Sequence, residues 1–227
     1  MEEFLPILHS TALFYGLTDE QILTSLNCIG ATCAEKPKDT YILCAGESVG
    51  KMGLMLSGRA LVVQEDVWGH RSIIQQLTAG ETFAEPFAAA GSEPLNVSVV
   101  ADSDCRLLWL NVERILTVCP SACEHHNRIV RNLVSVLAQK LLRFNEKITH
   151  TSRRSTREKL LSYLSAEAIR QGSLCFAIAF DRQQLADYLC VERSAMSAEL
   201  SRMQRDGILN YEKNRFVLHA DPEKLPG

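Results

Sequence analysis

One stretch, FDRQQLADYLCVERSAMSAELSRMQRDGIL (Phe180–Leu209), gathers the side chains best suited to reading a flat, hydrogen-bonding partner. The guanidinium of Arg193 can bond two neighbouring acceptors at once, as guanine O6 and N7 present them, and Ser194 and Ser197 add adaptable hydroxyls. Ala198 offers a methyl to a thymine methyl, and Arg202 and Gln183 extend the polar row. Such chemistry needs rigid elements beneath it. Asp181, with Gln184 three residues on, is a capping box that opens one helix, and Leu185, Ala186 and Leu189 are its apolar stripe. After a break at Cys190-Val191-Glu192, Met196, Leu200 and Met203 recur at four and three residues, leaving the polar row outward. Two short helices joined by a tight turn are the form in which a helix is offered to a major groove; the alternative is an αα-hairpin inside a core.

The flanks fit the first reading. Ser155 and Glu158 form a second capping box and start a helix running to about Arg170. Arg153, Arg154 and Arg157 stand at its entrance, where phosphate, acidic groups of the roll and solvent compete as partners. Beyond Gly207, Ile208–Tyr211 and Phe216–Leu218 flank Lys213-Asn214-Arg215, a hairpin with a basic tip. Lys213 and Arg215 there suit phosphate, which raises affinity without choosing sequence.

The eight cysteines, at 28, 33, 44, 105, 119, 123, 175 and 190, include no Cys-x-x-Cys, so the strongest zinc and iron–sulfur signatures are missing. The tightest grouping is Cys119 and Cys123, one helical turn apart, with His125 and His126 in the next turn. A soft metal or haem is one reading; a cysteine that starts a helix, another on its seam and solvated histidines is the preferred one, so no metal or cofactor is assigned. Nucleophile elbow, P-loop and dinucleotide fingerprint are all absent, and His70 is the one histidine of the β-rich part, beside Gly69. No enzyme is expected.

Charge is segregated. Residues 1–117 hold 7 Lys/Arg against 15 Asp/Glu, residues 118–150 hold 5 against 2, and residues 151–227 hold 12 against 10, within an overall charge of −3. The acidic part repels phosphate and the C-terminal parts attract it. MEEFLPI lacks a basic start and no apolar run approaches about 18 residues, so neither secretion nor a membrane span is indicated and the cytoplasm is the expected compartment.

Three parts follow: 1–118, 119–150 and 151–227. After a helix around Asp19–Leu26, Gly46, Gly58, Gly69 and Gly80 punctuate short apolar runs at Met52–Leu56, Ala60–Gln64 and Ser72–Leu77, followed by Val97–Ala101 and Cys105–Leu110. Strands at this spacing predict an antiparallel sandwich or roll. Pro120 suits the first position of a long helix. Within it Val130, Val134, Leu137, Leu141, Phe144 and Ile148 step by four and three, the seam of a two-stranded coiled coil. Ile129, Leu133 and Val136 form a second apolar face, to be laid against the roll. Two faces need two covers, which predicts a homodimer.

The Asp181–Leu209 segment resembles the helix-turn-helix of the cyclic AMP receptor protein/Fnr (Crp/Fnr) family of bacterial transcription regulators, and the resemblance extends weakly over nearly the whole chain. Arg193 matches the arginine that opens the family's recognition helix, and Ser197 the serine used by its Fnr branch. Ser194 and Ala198 depart from the usual glutamate and arginine, which implies a different consensus site. The resemblance implies an α+β fold: an N-terminal cupin-like antiparallel β-roll of the cyclic-nucleotide-binding kind, a long dimerisation helix and a C-terminal winged helix-turn-helix. It implies double-stranded DNA with a palindromic site and RNA polymerase as partners. The family's phosphate cassette matches GETFAEPFAAAGSEPLNVSVVA, with Glu85 at the ribose-binding glutamate and Leu95 in place of the phosphate-binding arginine. An anion without a cation is costly to desolvate, so the effector, if any, is a small molecule other than cyclic AMP. By the same resemblance, Phe83 and Glu85 of the roll and Phe144 and Asn145 of the helix are the candidate effector contacts; otherwise Glu85 is a surface or capping residue and Phe144 a seam residue. Two further readings stay open: a scaffold protein of this fold that has lost DNA, and a regulator responding to redox or metal through its cysteines.

Overall fold

Thr18 starts the first substantial helix by a reciprocal capping box: its Oγ1 accepts from the backbone N–H of Gln21 (3.3 Å), and the Gln21 Oε1 accepts from the backbone N–H of Thr18 (3.0 Å). In the computed structural model, which describes residues 2–91, 93–117 and 124–219, this helix is α2 (Asp19–Ile29), preceded by a single 3-10 turn and by α1 (Leu5–Ser10). The chain separates into two units, residues 1–141 and 142–227.

The first unit is a roll of two antiparallel sheets. It contains β1 (Thr32–Lys36), β2 (Tyr41–Leu43), β3 (Lys51–Ser57), β4 (Arg59–Glu65), β5 (Arg71–Thr78) and β6 (Thr82–Phe83). After α3 (Glu85–Ala90) come β7 (Ser98–Ala101), β8 (Cys105–Asn111) and α4 (Val112–Leu116). The sheets are ordered β1-β8-β3-β6 and β2-β7-β4-β5. β3 is buried along its whole middle because both faces are covered. Met52, Leu54 and Leu56, with Leu108 and Leu110 of β8, pack under the helices. Met55, Phe83 and Leu107 face the second sheet. The four spaced glycines all turn with positive φ. At Gly58 a Cβ would also come within 2.2 Å of the Asp104 carbonyl, so no other residue fits that turn.

The five expected strand runs fall in β3, β4, β5, β7 and β8. The expectation did not include β1, β2 and β6. β1 is TCAEK, without apolar alternation, and is held by its ladder to β8; β2 has three residues and β6 two.

α5 spans Glu124–Thr151. Ile129 and Leu133 enter the core under the helices, with Val130 and Leu137 packed at its margin. Asn132 donates to the carbonyls of Leu13 (2.9 Å) and Tyr15 (3.0 Å), which fixes the register of the helix on the roll. Each apolar side chain so buried contributes about 1.5–3 kcal/mol.

The second unit takes the last turns of α5, then α6 (Thr156–Gln171), β9 (Cys175–Ala177), α7 (Arg182–Leu189), α8 (Arg193–Arg205), β10 (Leu209–Glu212) and β11 (Arg215–Leu218). Its sheet is ordered β10-β11-β9, all antiparallel. The Ser155 capping box opens α6 as its spacing predicts. Among the described residues no helix is long and apolar enough to cross a membrane.

Candidate functional site

α7 and α8 form the helix-turn-helix. The Asp181 carboxylate accepts from the N–H of Gln184 (2.8 Å), whose Oε1 accepts from the N–H of Asp181 (3.0 Å). Leu185, Ala186 and Leu189 are wholly buried. The turn closes with Cys190 in the left-handed region (φ 52°) and the Val191 N–H donating to the Ala186 carbonyl at 3.0 Å. Lys159 of α6 donates to the carbonyls of Leu189 and Cys190, both at 3.2 Å, placing a cation on the negative end of α7.

α8 buries Met196, Leu200 and Met203 completely. Arg193, Ser194, Ala198 and Arg202 are exposed and Ser197 is half-buried. Arg193, Lys213 and Arg215 have no ion-pair partner among the described residues. Arg202 lies 3.4 Å from Glu199, which also receives Arg157 at 3.4 Å. Gln183, exposed on α7, donates to Asp187 at 2.8 Å. Lys213 and Arg215 are exposed at the β10–β11 turn, where Lys213 has positive φ (51°).

Several supporting contacts were not legible in the sequence. Arg157 reaches across to Asp206 (2.7 Å) as well as Glu199, so it holds α8 rather than standing free at the entrance. The Arg182 guanidinium lies over the rings of Tyr211 (4.6 Å) and Phe216 (5.2 Å), tying α7 to the wing; burial lowers its pKa. Lys147 and His150 of α5 are buried in the second unit. The Lys147 ammonium stands over Tyr188 at 4.9 Å, His150 Nδ1 is 2.8 Å from Ser162 Oγ, and burial lowers the pKa of both. Burial also pushes the Tyr188 phenol up to about 12. Pattern reading treats Lys and His as surface residues, so nothing in the spacing marks these two.

In the roll, Glu85 is 1% exposed. It is neither a surface residue nor a cap: it begins α3, whose N-cap is Ala84, and no side-chain cap bond is made there. The Lys140 ammonium lies 2.8 Å from its Oε1 and donates to its Oε2 at 3.0 Å. Leu95 packs in the core between the sheets. Phe83 is wholly buried against Gly53, where a Cβ would meet its ring at 2.0 Å. The position therefore needs glycine so that the phenyl can fill the roll. Phe144 and Asn145 lie beyond Leu141, in the second unit, and are exposed.

Along α5, Val134, Leu141 and Ile148 are each 62% exposed and Phe144 is 41% exposed. Val130 and Leu137 are half-buried against the roll. Cys119 and Cys123 lie outside the described residues, and His125 is half-buried. Among the described residues no group of three or more His, Cys, Asp or Glu is placed to hold a metal ion.

Residues 34–121 match the model of the cyclic nucleotide-binding domain, and residues 158–226 match that of the Crp-like helix-turn-helix domain. The chain belongs to the Crp/Fnr family. Together the two matches cover well over half of it, in the order the resemblance implies, and the family consists of transcription regulators rather than enzymes. The chain is 22% identical over 196 residues to the transcriptional activator protein FnrL of Cereibacter sphaeroides, covering 81% of this chain and 75% of that one. Its fold is similar to that of a CooA mutant from Carboxydothermus hydrogenoformans (TM-score 0.71, 19% identity, covering 95% of this chain and 97% of that one). It is similar also to FixK2 from Bradyrhizobium japonicum (TM-score 0.64, 20% identity, covering 86% and 95%).

Proposed function

We propose that this Crp/Fnr family chain is a homodimeric, sequence-specific DNA-binding transcription regulator acting with RNA polymerase. Its working parts are a sensor roll over 1–118, a dimerisation helix over 119–150 and a winged reader over 151–227. The carrying observation is α8: its inner face is wholly buried while Arg193, Ser194 and Ala198 stand exposed beside half-buried Ser197. Arg193 reads a guanine, the serines adapt to the neighbouring bases, and Lys213 and Arg215 hold phosphate. The exposed row Val134, Leu141, Phe144 and Ile148 supports pairing of two copies through α5.

An effector, where one acts, works by preferring one of two arrangements of the readers, since a ligand shifts an equilibrium only by its differential affinity. Cyclic AMP does not suit the roll. Leu95 gives no cation to a phosphate, Phe83 occupies the interior, and Glu85 is already paired with Lys140.

Selection of fragments from genomic DNA by the purified, reduced protein, followed by sequencing, tests the function. An enriched palindrome supports an apo-active regulator. Salt-sensitive binding without enrichment means that an effector gates the reader. Absence of any DNA binding would overturn the proposal in favour of a scaffold.

A further inference from the structure

Among the described residues, one end of the sheet β1-β8-β3-β6 is left uncovered. Across the β3–β8 ladder Lys51 pairs with Asn111 and Gly53 with Trp109, so Lys51, Asn111 and Trp109 share the face on which Phe83 lies. Phe83 meets the Trp109 ring edge-on at 5.5 Å. Past that contact a cleft of about 900 Å3 opens, bounded also by α3 and α4. Val49, Ala88, Leu116 and the Trp109 ring supply apolar walls.

The polar groups of this cleft are unusually uncommitted. Lys51 and Glu113 are the charged side chains in its lining, and neither has an ion-pair or hydrogen-bond partner among the described residues. Asn111 uses its Oδ1 to cap α4 at the N–H of Arg114 (3.0 Å), which leaves its NH2 available. The Trp109 indole N–H likewise has no acceptor among the described residues. Three donors, one of them cationic, thus stand with one carboxylate against an apolar wall. A simple anion would meet Glu113, and a simple cation would meet Lys51. A molecule carrying both charges and an apolar group pairs both charges and covers the apolar wall.

We propose that this cleft binds a small apolar zwitterion of the amino-acid or dipeptide kind. Its carboxylate is held by Lys51 and Asn111, its ammonium by Glu113, and its side chain by Trp109, Val49 and Leu116. The volume lies within the range of small-molecule pockets. The site is distinct from the Glu85–Lys140 pair, and its occupancy does not depend on DNA binding.

Equilibrium dialysis of the full-length protein against labelled L-leucine, L-phenylalanine and L-leucyl-L-leucine tests this, with phenylacetate and phenethylamine as singly charged controls. At least one zwitterion should bind saturably at one site per chain, about tenfold or more tighter than either control. Lys51→Met and Glu113→Gln should each weaken it by about tenfold. Gly50 lines the cleft, and a Cβ there meets nothing within 4 Å. Gly50→Leu should therefore fill the space and abolish binding while leaving circular dichroism and thermal unfolding unchanged. In Trp68→Phe protein, which keeps Trp109 as its one indole, emission should shift with the same saturation. Failure of all three zwitterions to bind, equal binding of a singly charged control, or undiminished binding by folded Gly50→Leu protein would each overturn the proposal.

Discussion

Arg193 and Arg202 lie on one helix and carry the same group, yet Arg202 shares Glu199 with Arg157 while Arg193 has no ion-pair partner among the described residues. A guanidinium without a local partner breaks no ion pair when it bonds a base, so only its hydration and side-chain freedom are given up. Arg193→Ala should therefore cost about 1–3 kcal/mol per half-site and relax base choice, measured by binding to a panel of single-base variants. Lys213→Ala should instead weaken all sequences equally and flatten the salt dependence. An Arg193→Ala loss that is the same on every sequence sinks the assignment. Buried His150 makes a second residue-scale prediction. Burial disfavours its charged form, and Glu146, Glu167, Arg170 and Arg153 are the charges that act on it. Its folded pKa is depressed, so the stability it contributes is complete above the ordinary value of 6.5 and is lost as pH falls from there toward the lower folded pKa. His150→Phe, which keeps a ring against Tyr163, should have a shallower loss of Tm between about pH 7.5 and 5.5 than the parent. Equal slopes in the two proteins would remove His150 from the account.

At the scale of elements, α5 is the helix whose two apolar faces meet different fates. Ile129 and Leu133 are buried on the roll, while Leu141 and Ile148 stay exposed in a single chain. Leu141→Glu places a carboxylate on the proposed seam and should convert the dimer to monomer at micromolar concentration by sedimentation, with circular dichroism retained. A variant that remains dimeric would move the interface elsewhere. The same helix shows how far sequence reading reaches. Periodicity predicted the buried stripe of Ile129, Leu133 and Val136, but Val130 and Leu137, expected on the seam, pack against the roll as well. Capping boxes located the starts of α6 and α7, because these signals depend on residues within one or two turns. The partners of Arg157, Lys140 and Arg182 were not legible, since each is chosen by tertiary packing across 42, 55 and 29 or more residues. Glu85 illustrates the point. Its alignment to a ligand position was visible, but its neutralisation by Lys140 was not. Gly53 escaped notice too, because its reason is the Phe83 ring on another strand.

For the whole molecule, the charge segregation and the proposed dimer have a geometric consequence. Two readers joined by one seam can both engage only if their half-sites lie on one side of the duplex, about 34 Å or one helical turn apart. The acidic roll, with 15 Asp/Glu against 7 Lys/Arg over residues 1–117, is repelled by the backbone, so a dimer holding one half-site gains little from non-specific contacts elsewhere. Inserting five base pairs between the half-sites of a selected palindrome turns the second site to the opposite side while leaving every base contact available. Affinity should then fall about a hundredfold or more, toward the non-specific level, and ten inserted base pairs should restore part of it. Variants of α8 cannot separate a dimeric reader from two independent ones, whereas this spacing series does. An affinity indifferent to the half-turn insertion would mean that each chain reads DNA alone and that the exposed α5 seam serves another contact.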